Sequence, residues 1–150
     1  MDKIIRPVLL VLLVLCFSGC SSVVESKHYS KHLPLGTMKS AYIVHDPGST
    51  LGCANAAQEA LTTRGLTVTS GSIKDKPADA DFYVEVVDRW EWDVAMYLIS
   101  LDIRFVDNHT GDLIADGTFR QTRFFHSFPD QRQTTLDVIS SIYKTQPAPN

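Results

Sequence analysis

Phe82-Tyr83-Val84-Glu85-Val86-Val87-Asp88-Arg89-Trp90-Glu91-Trp92 is the stretch whose reading decides the fold. Its even positions are apolar apart from Asp88, and its odd positions include Glu85, Arg89 and Glu91. Side chains on a strand alternate between faces, so this segment presents one dry face and one wet face. The next segment repeats the pattern, with Tyr97, Ile99, Leu101, Ile103 and Phe105 alternating with Ser100, Asp102 and Arg104. Asp107-Asn108-His109-Thr110-Gly111-Asp112 then supplies a Gly-bearing hairpin connection. It leads to Leu113, Ala115, Gly117 and Phe119, set against Asp116, Thr118 and Arg120. Three such strands in succession make an antiparallel meander with one charged face.

Outward toward the N-terminus, Met38-Lys39-Ser40-Ala41-Tyr42-Ile43-Val44 reads as a strand closed by the turn residues Asp46-Pro47-Gly48. Ser49 or Thr50 is the expected cap of a helix starting near Leu51. Its Cys53, Ala57, Ala60 and Leu61 fall at near-helical spacing, and Gly65 stops it. A further strand, residues 66–70, follows at once. Strand, helix and strand over this distance make a right-handed crossover with the two strands parallel. Toward the C-terminus, Thr134-Thr135-Leu136-Asp137-Val138-Ile139-Ser140-Ser141-Ile142-Tyr143 repeats apolar residues three and four apart, an amphipathic helix ending before Pro147. Two amphipathic helices need an apolar surface, and the sheet has one such face. The expectation is an α+β two-layer sandwich: a mixed sheet of about five strands, βαβ then meander, with both helices on one face.

The chain has 150 residues, of which 44% are hydrophobic and 21% charged, enough for one globular core and too little charge for a disordered chain. Lys and Arg number 14 against 17 Asp and Glu, and the net charge of -3 provides no electrostatic footprint for nucleic acid. Lys3, Arg6 and the terminal amine outweigh Asp2, residues 8–17 are uniformly apolar, and Ser18-Gly19-Cys20 follows. That run falls well short of the roughly 20 apolar residues that span a bilayer, so it reads as a secretory signal peptide. The expected division is a signal peptide over 1–19, a polar tether over 20–36 and a periplasmic domain over 37–150. The tether carries Ser21, Ser22, Ser26 and Ser30 and shows no helical or strand period beyond Val23-Val24.

Phe17-Ser18-Gly19-Cys20 resembles the lipobox of bacterial lipoproteins, with Phe17 standing where Leu is usual. The resemblance implies cleavage before Cys20 and its conversion to an N-palmitoyl, S-diacylglyceryl cysteine. Two or more acyl chains anchor stably where one does not. Ser21 in the following position implies transfer to the outer membrane, periplasmic side. Cys16 lies in the discarded run, which leaves Cys53 as the one thiol of the mature chain and excludes an intramolecular disulfide. With nothing cationic beside it in sequence, Cys53 reads as a buried helix residue rather than a reactive one.

A second resemblance is carried by Ala57-Gln58-Glu59-Ala60-Leu61-Thr62-Thr63-Arg64-Gly65-Leu66, Ala80-Asp81-Phe82-Tyr83-Val84, Trp90-Glu91-Trp92-Asp93 and the hairpin of residues 106–112. Together they resemble small uncharacterised proteobacterial lipoproteins. The layout is more loosely similar to periplasmic domains of envelope-assembly lipoproteins that serve lipopolysaccharide export or curli secretion. What this implies is location, fold and a role in assembly.

Signatures of catalysis are sparse: there is no GxSxG, HExxH, CxxC or phosphate-binding loop in the sequence. His28 and His32 have the spacing of two ligands on one helix face, but they lack a third ligand nearby and read as part of the tether. His45-Asp46 beside Gly48-Ser49-Thr50 offers helix N-terminal amides to an anion, with ordinary capping the simpler reading. Glu85, Asp102 and Asp116 share the wet sheet face with Arg89, Arg104 and Arg120, where cross-strand ion pairs account for them without a two-carboxylate cleft. Trp90 and Trp92 share strand parity. Exposed, they stack on sugars or anchor a partner; buried, they extend the Phe82-Val84-Val86 core, as large aromatics usually do.

The expectation is a noncatalytic lipoprotein without cofactor or metal, bound to the membrane by its anchor and offering Trp90 and Trp92 or an open strand edge to an envelope protein or glycan. The alternatives are a glycan-directed hydrolase with an unrecognised carboxylate site, and a small-ligand carrier with a pocket between helices and sheet.

Overall fold

A computed structural model of the chain describes residues 22–30, 32–122 and 127–146. The leader, with Cys16 and the lipobox through Cys20, lies outside the described residues, as do Ser21, His126 and Pro147. Six strands are present: β1 Val23–His28, β2 Ser40–Val44, β3 Thr67–Gly71, β4 Phe82–Trp92, β5 Met96–Asp107 and β6 Leu113–Arg120. Two α-helices, α1 Leu51–Thr63 and α2 Gln131–Lys144, accompany them. The sheet order is β1-β6-β5-β4-β2-β3. β1 to β4 pair antiparallel in the order β1/β6, β6/β5 and β5/β4, while β2 runs parallel to both β4 and β3. The architecture is the expected α+β sandwich, with one strand more than expected.

That extra strand corrects the reading of residues 20–36 as a tether. Val23–His28 pairs along β6 and forms one edge of the sheet. It carries no alternation in sequence because Val23, Val24, Glu25 and Lys27 all face solvent; an edge strand with little burial is held by main-chain pairing, which leaves no hydrophobic period to read.

The crossover forms as the pattern requires. Gly65 ends α1 with a φ of +88°, a conformation that costs glycine nothing, and β3 follows within two residues. At the second turn Gly111 has a φ of +77°, and the Asp107 carboxylate accepts hydrogen bonds from the amides of His109 and Thr110 at 2.8 and 2.7 Å.

Phe82, Val84 and Val86 of β4 and Leu101, Ile103 and Phe105 of β5 are buried against Cys53, Ala57 and Leu61 of α1 and Val138, Ile139 and Ile142 of α2. Each large apolar side chain so buried contributes roughly 1.5–3 kcal/mol. The predicted alternation in β5 fails at one point. Arg89 pairs with Ser100 but Trp90 pairs with Leu98, so Ile99 is an extra residue, a β-bulge. The bulge reverses parity, which buries Leu98 completely and leaves Ile99 partly exposed.

Gly117 joins the two layers. A methyl at its Cβ position would stand 2.8 Å from both Val138 Cγ1 and Ile142 Cγ1, so only a bare backbone lets α2 lie this close to β6. Gly117→Ala is expected to lower stability by about 1–3 kcal/mol through overpacking, read as a fall in the urea midpoint at unchanged slope.

Candidate functional site

The end of the sheet where β4 runs into β5 holds the residues with unexplained chemistry. Asp88 is the one polar residue on the otherwise apolar face of β4, and it is only 5% exposed. Its carboxylate accepts the Thr50 amide at 2.9 Å, the Thr50 hydroxyl at 2.5 Å and the Trp90 indole Nε1–H at 2.6 Å. The Ser49 hydroxyl in turn accepts the Asp88 amide at 3.3 Å. Thr50 is the N-cap residue of α1, yet its own side chain makes no capping bond. Thr50 thus holds the expected N-cap position, but its hydroxyl and amide go to a carboxylate of a neighbouring strand, 38 residues away. The neighbouring amides are also taken up within the chain: Gly48 donates to the Asp46 carboxylate at 3.3 Å, Ser49 to the Asp46 carbonyl at 3.0 Å and His45 to the Gly71 carbonyl at 2.8 Å.

Burial pushes the Asp88 carboxyl up, but the hydrogen bonds from Thr50, Trp90 and Ser49 outweigh it and hold the group below the usual carboxylate range. Gln131, the first residue of α2, donates to the Thr50 hydroxyl at 2.7 Å and to Cys53 Sγ at 3.3 Å, so both helices start from this one cluster. Cys53 is fully buried, as expected, and burial pushes its thiol up and away from reactivity.

The two tryptophans separate. Trp90 is half-buried against the core and tied to Asp88. Trp92 is 71% exposed. The reading of both as a continuation of the core therefore holds in part for Trp90, which pairs with the buried Leu98, and not for Trp92, which pairs with the exposed Met96. Beyond the bulge the hairpin projects, with Val94 84% exposed at its tip and Met96 also exposed. Phe128 lies beside it, edge-on to the buried Tyr97 ring with centroids 5.9 Å apart.

On the wet face, Glu85 pairs with Arg104 at 3.2 Å and Asp102 with Arg120 at 2.6 Å, the cross-strand pairing expected. Asp116 stands in register between Arg104 and Lys27. A groove of about 720 Å³ opens where this face meets the bulge, lined by Arg89, Trp90, Glu91, Asp102, Arg120 and Gln121 among others. It lies on the sheet's end and outer side, not between helices and sheet where a carrier pocket was considered. His28 closes β1 and His32 lies in the bend after it, so the helix face that would make them a ligand pair does not form. Among the described residues no group of three or more His, Cys, Asp or Glu is placed to hold a metal, and no helix is long and apolar enough to cross a membrane.

A six-stranded mixed sheet covered on one face by two helices defines the class of this domain. Among solved structures it is similar to the PelC dodecamer of Paraburkholderia phytofirmans, with a TM-score of 0.56 and 13% identity over 84% of this chain and 98% of that one. A single-residue variant of the same dodecamer, in a second crystal form, matches with a TM-score of 0.56 and 12% identity over 83% and 99%. At that identity the likeness is one of fold. No family model and no curated protein matches the chain.

The Asp88 geometry predicts an acid-sensitive fold. A carboxylate depressed in the folded state stabilises it above its unfolded value, near 3.9, and that contribution is lost as pH falls through the folded value. The urea midpoint should therefore fall below about pH 4, and Asp88→Asn should cost about 1–3 kcal/mol at pH 7 while making that acid limb shallower.

Proposed function

We propose that this chain is a lipid-anchored component of a bacterial envelope, held at the outer membrane through Cys20 and facing the periplasm, that works by assembling with other chains rather than by catalysis. The observation that carries the reading is the fold held in common with PelC, whose solved form is a dodecamer and almost all of whose chain superposes on this one. Assembly is carried over as part of the proposal. Its means are in the sheet: β1 and β3 are the edge strands, and edge strands recruit partners through main-chain pairing without special side chains.

Six of the carboxylates support a noncatalytic reading because structure already employs them. Asp81 accepts the amides of Lys39 and Ser40, Asp107 those of His109 and Thr110, and Asp88 that of Thr50. Glu59, Glu85 and Asp102 pair with arginines. A glycan is the second partner class, favoured by the groove in which Trp90 sits between Arg89, Glu91 and Arg120.

Full-length protein purified in mild detergent is expected to run as a multimer in native mass spectrometry; monomer at every concentration counts against assembly. Cys20→Ala should abolish acyl-chain labelling, and labelling unchanged in that variant removes the anchor. For the glycan reading, calorimetric titration with uronic-acid oligosaccharides should give binding that Arg89→Ala abolishes, and binding indifferent to that change rules the groove out.

A further inference from the structure

Nine large apolar side chains are exposed among the described residues, and four of them, Trp92, Val94, Met96 and Phe128, gather on or beside the β4–β5 hairpin, with Val23 and Val24 at the same end of the sheet three strands away. Scattered singly they would need no explanation; gathered, they mark a contact surface. The strand register brings them together. Val23 pairs with Arg120, Arg120 with Ser100 and Ser100 with Arg89, so these four residues form one row across β1, β6, β5 and β4. β4 continues three residues past that row to Trp92, which at about 3.3 Å per residue carries the hairpin tip about 10 Å beyond it. Cys20 precedes Val23 by three residues, and three residues span at most about 10 Å. Three residues are therefore enough for an anchor at Cys20 to meet the level of the hairpin tip, with β1 and β4 three strand spacings apart, roughly 14 Å.

We propose that the tip of the β4–β5 hairpin, with Phe128 beside it, is a second membrane contact that enters the lipid interface next to the acyl anchor. This rests on the reading of Cys20 as lipidated, since the anchor sets which end of the sheet meets the bilayer. An indole with an apolar body and a polar N–H suits the headgroup level of a bilayer, and Val94 and Met96 flank it with apolar surface. Arg89 stands one level further back, within reach of lipid phosphates, beside Arg120, which is paired with Asp102. Glu91 and Asp93 stand on the same hairpin, and carboxylates resist deep burial, so insertion is confined to the interface. With two points of attachment the domain stands end-on to the membrane with its strands along the normal, instead of swinging on the anchor.

The test uses full-length acylated protein in vesicles of phosphatidylethanolamine and phosphatidylglycerol, part of the lipid carrying brominated acyl chains that quench indole fluorescence on contact. Brominated lipid should quench the wild type, and quench Trp92→Phe about twofold less or better, because Trp90 stays tied to Asp88 within the domain. Val94→Asp, at a position too exposed to affect folding, should shift emission to the red and reduce quenching as well. An intact mass bearing acyl chains, combined with a Trp92 open to aqueous acrylamide and indifferent to brominated lipid, overturns this proposal alone. A Trp92 shielded from both quenchers has a protein occupant, a second copy included, and overturns it too. An intact mass without acyl chains overturns the anchor and this contact with it.

Discussion

A carboxylate buried among apolar side chains has to be satisfied by hydrogen bonds or it will not stay charged, and Asp88 is satisfied only if three elements meet around it. α1 must begin at Thr50 with its amide aimed at β4, Trp90 must turn its indole back along its own strand, and Gln131 must reach Thr50 from the start of α2. The helices are also fastened to each other further along, by Arg132 with Glu59 and by Arg64 donating to Ser140 at 2.9 Å. Those pairs are exposed and individually weak. At the Asp88 cluster the starts of both helices, the sheet and the base of the hairpin share a buried polar centre.

The bulge at Ile99 stands one residue pair beyond that cluster, and its effect is to separate two tasks within one hairpin. Up to it, β4 and β5 bury their apolar sides under the helices; past it Leu98 and Tyr97 are still covered, and beyond them Trp92, Val94 and Met96 are exposed. Gln121 fixes the change: its amide donates to the Ile99 carbonyl at 3.1 Å, and its side chain donates to the Leu98 carbonyl and accepts the Ser127 amide at 3.0 Å. The segment leading into α2 is thereby held against the bulge, which is why Phe128 lies beside the hairpin. A projecting tip with exposed apolar groups is thus braced at its base rather than loose.

Most of the fold was legible because most of its strands have one wet face. β4 begins and ends where the alternation of residues 82–92 does, and Gly65 and Gly111 stand where positive φ is needed. What escaped has a common cause: the deciding interaction lies outside the local pattern. β1 is held by main-chain bonds at an edge and buries too little to show a period. The bulge was hidden because Leu98 and Ile99 are both apolar, so either satisfies the alternation. The Asp88 cap spans 38 residues and fits no capping motif, although a single acidic break in a run of apolar positions was its visible trace. At the candidate site the pairing of Glu85 with Arg104 and of Asp102 with Arg120 followed from strand parity, whereas the parting of Trp90 and Trp92 depended on the cross-strand partner each meets, the buried Leu98 or the exposed Met96.

These features bear on one another through direction. Edge strands at both sides of a sheet leave lateral growth open, while helices cover one face, so copies that associate by their edges keep their strands roughly parallel. Each copy then sends its N-terminus and its β4–β5 tip toward the same side. An acyl anchor is strong but flexible; a braced apolar tip is weak alone but directional. In the proposed assembly the weak contact would gain from multiplicity, each tip being held at the bilayer by its own anchor and by its neighbours. Under that proposal a marginal affinity per tip would suffice to orient the whole, and a modest apolar area per copy is enough to supply it.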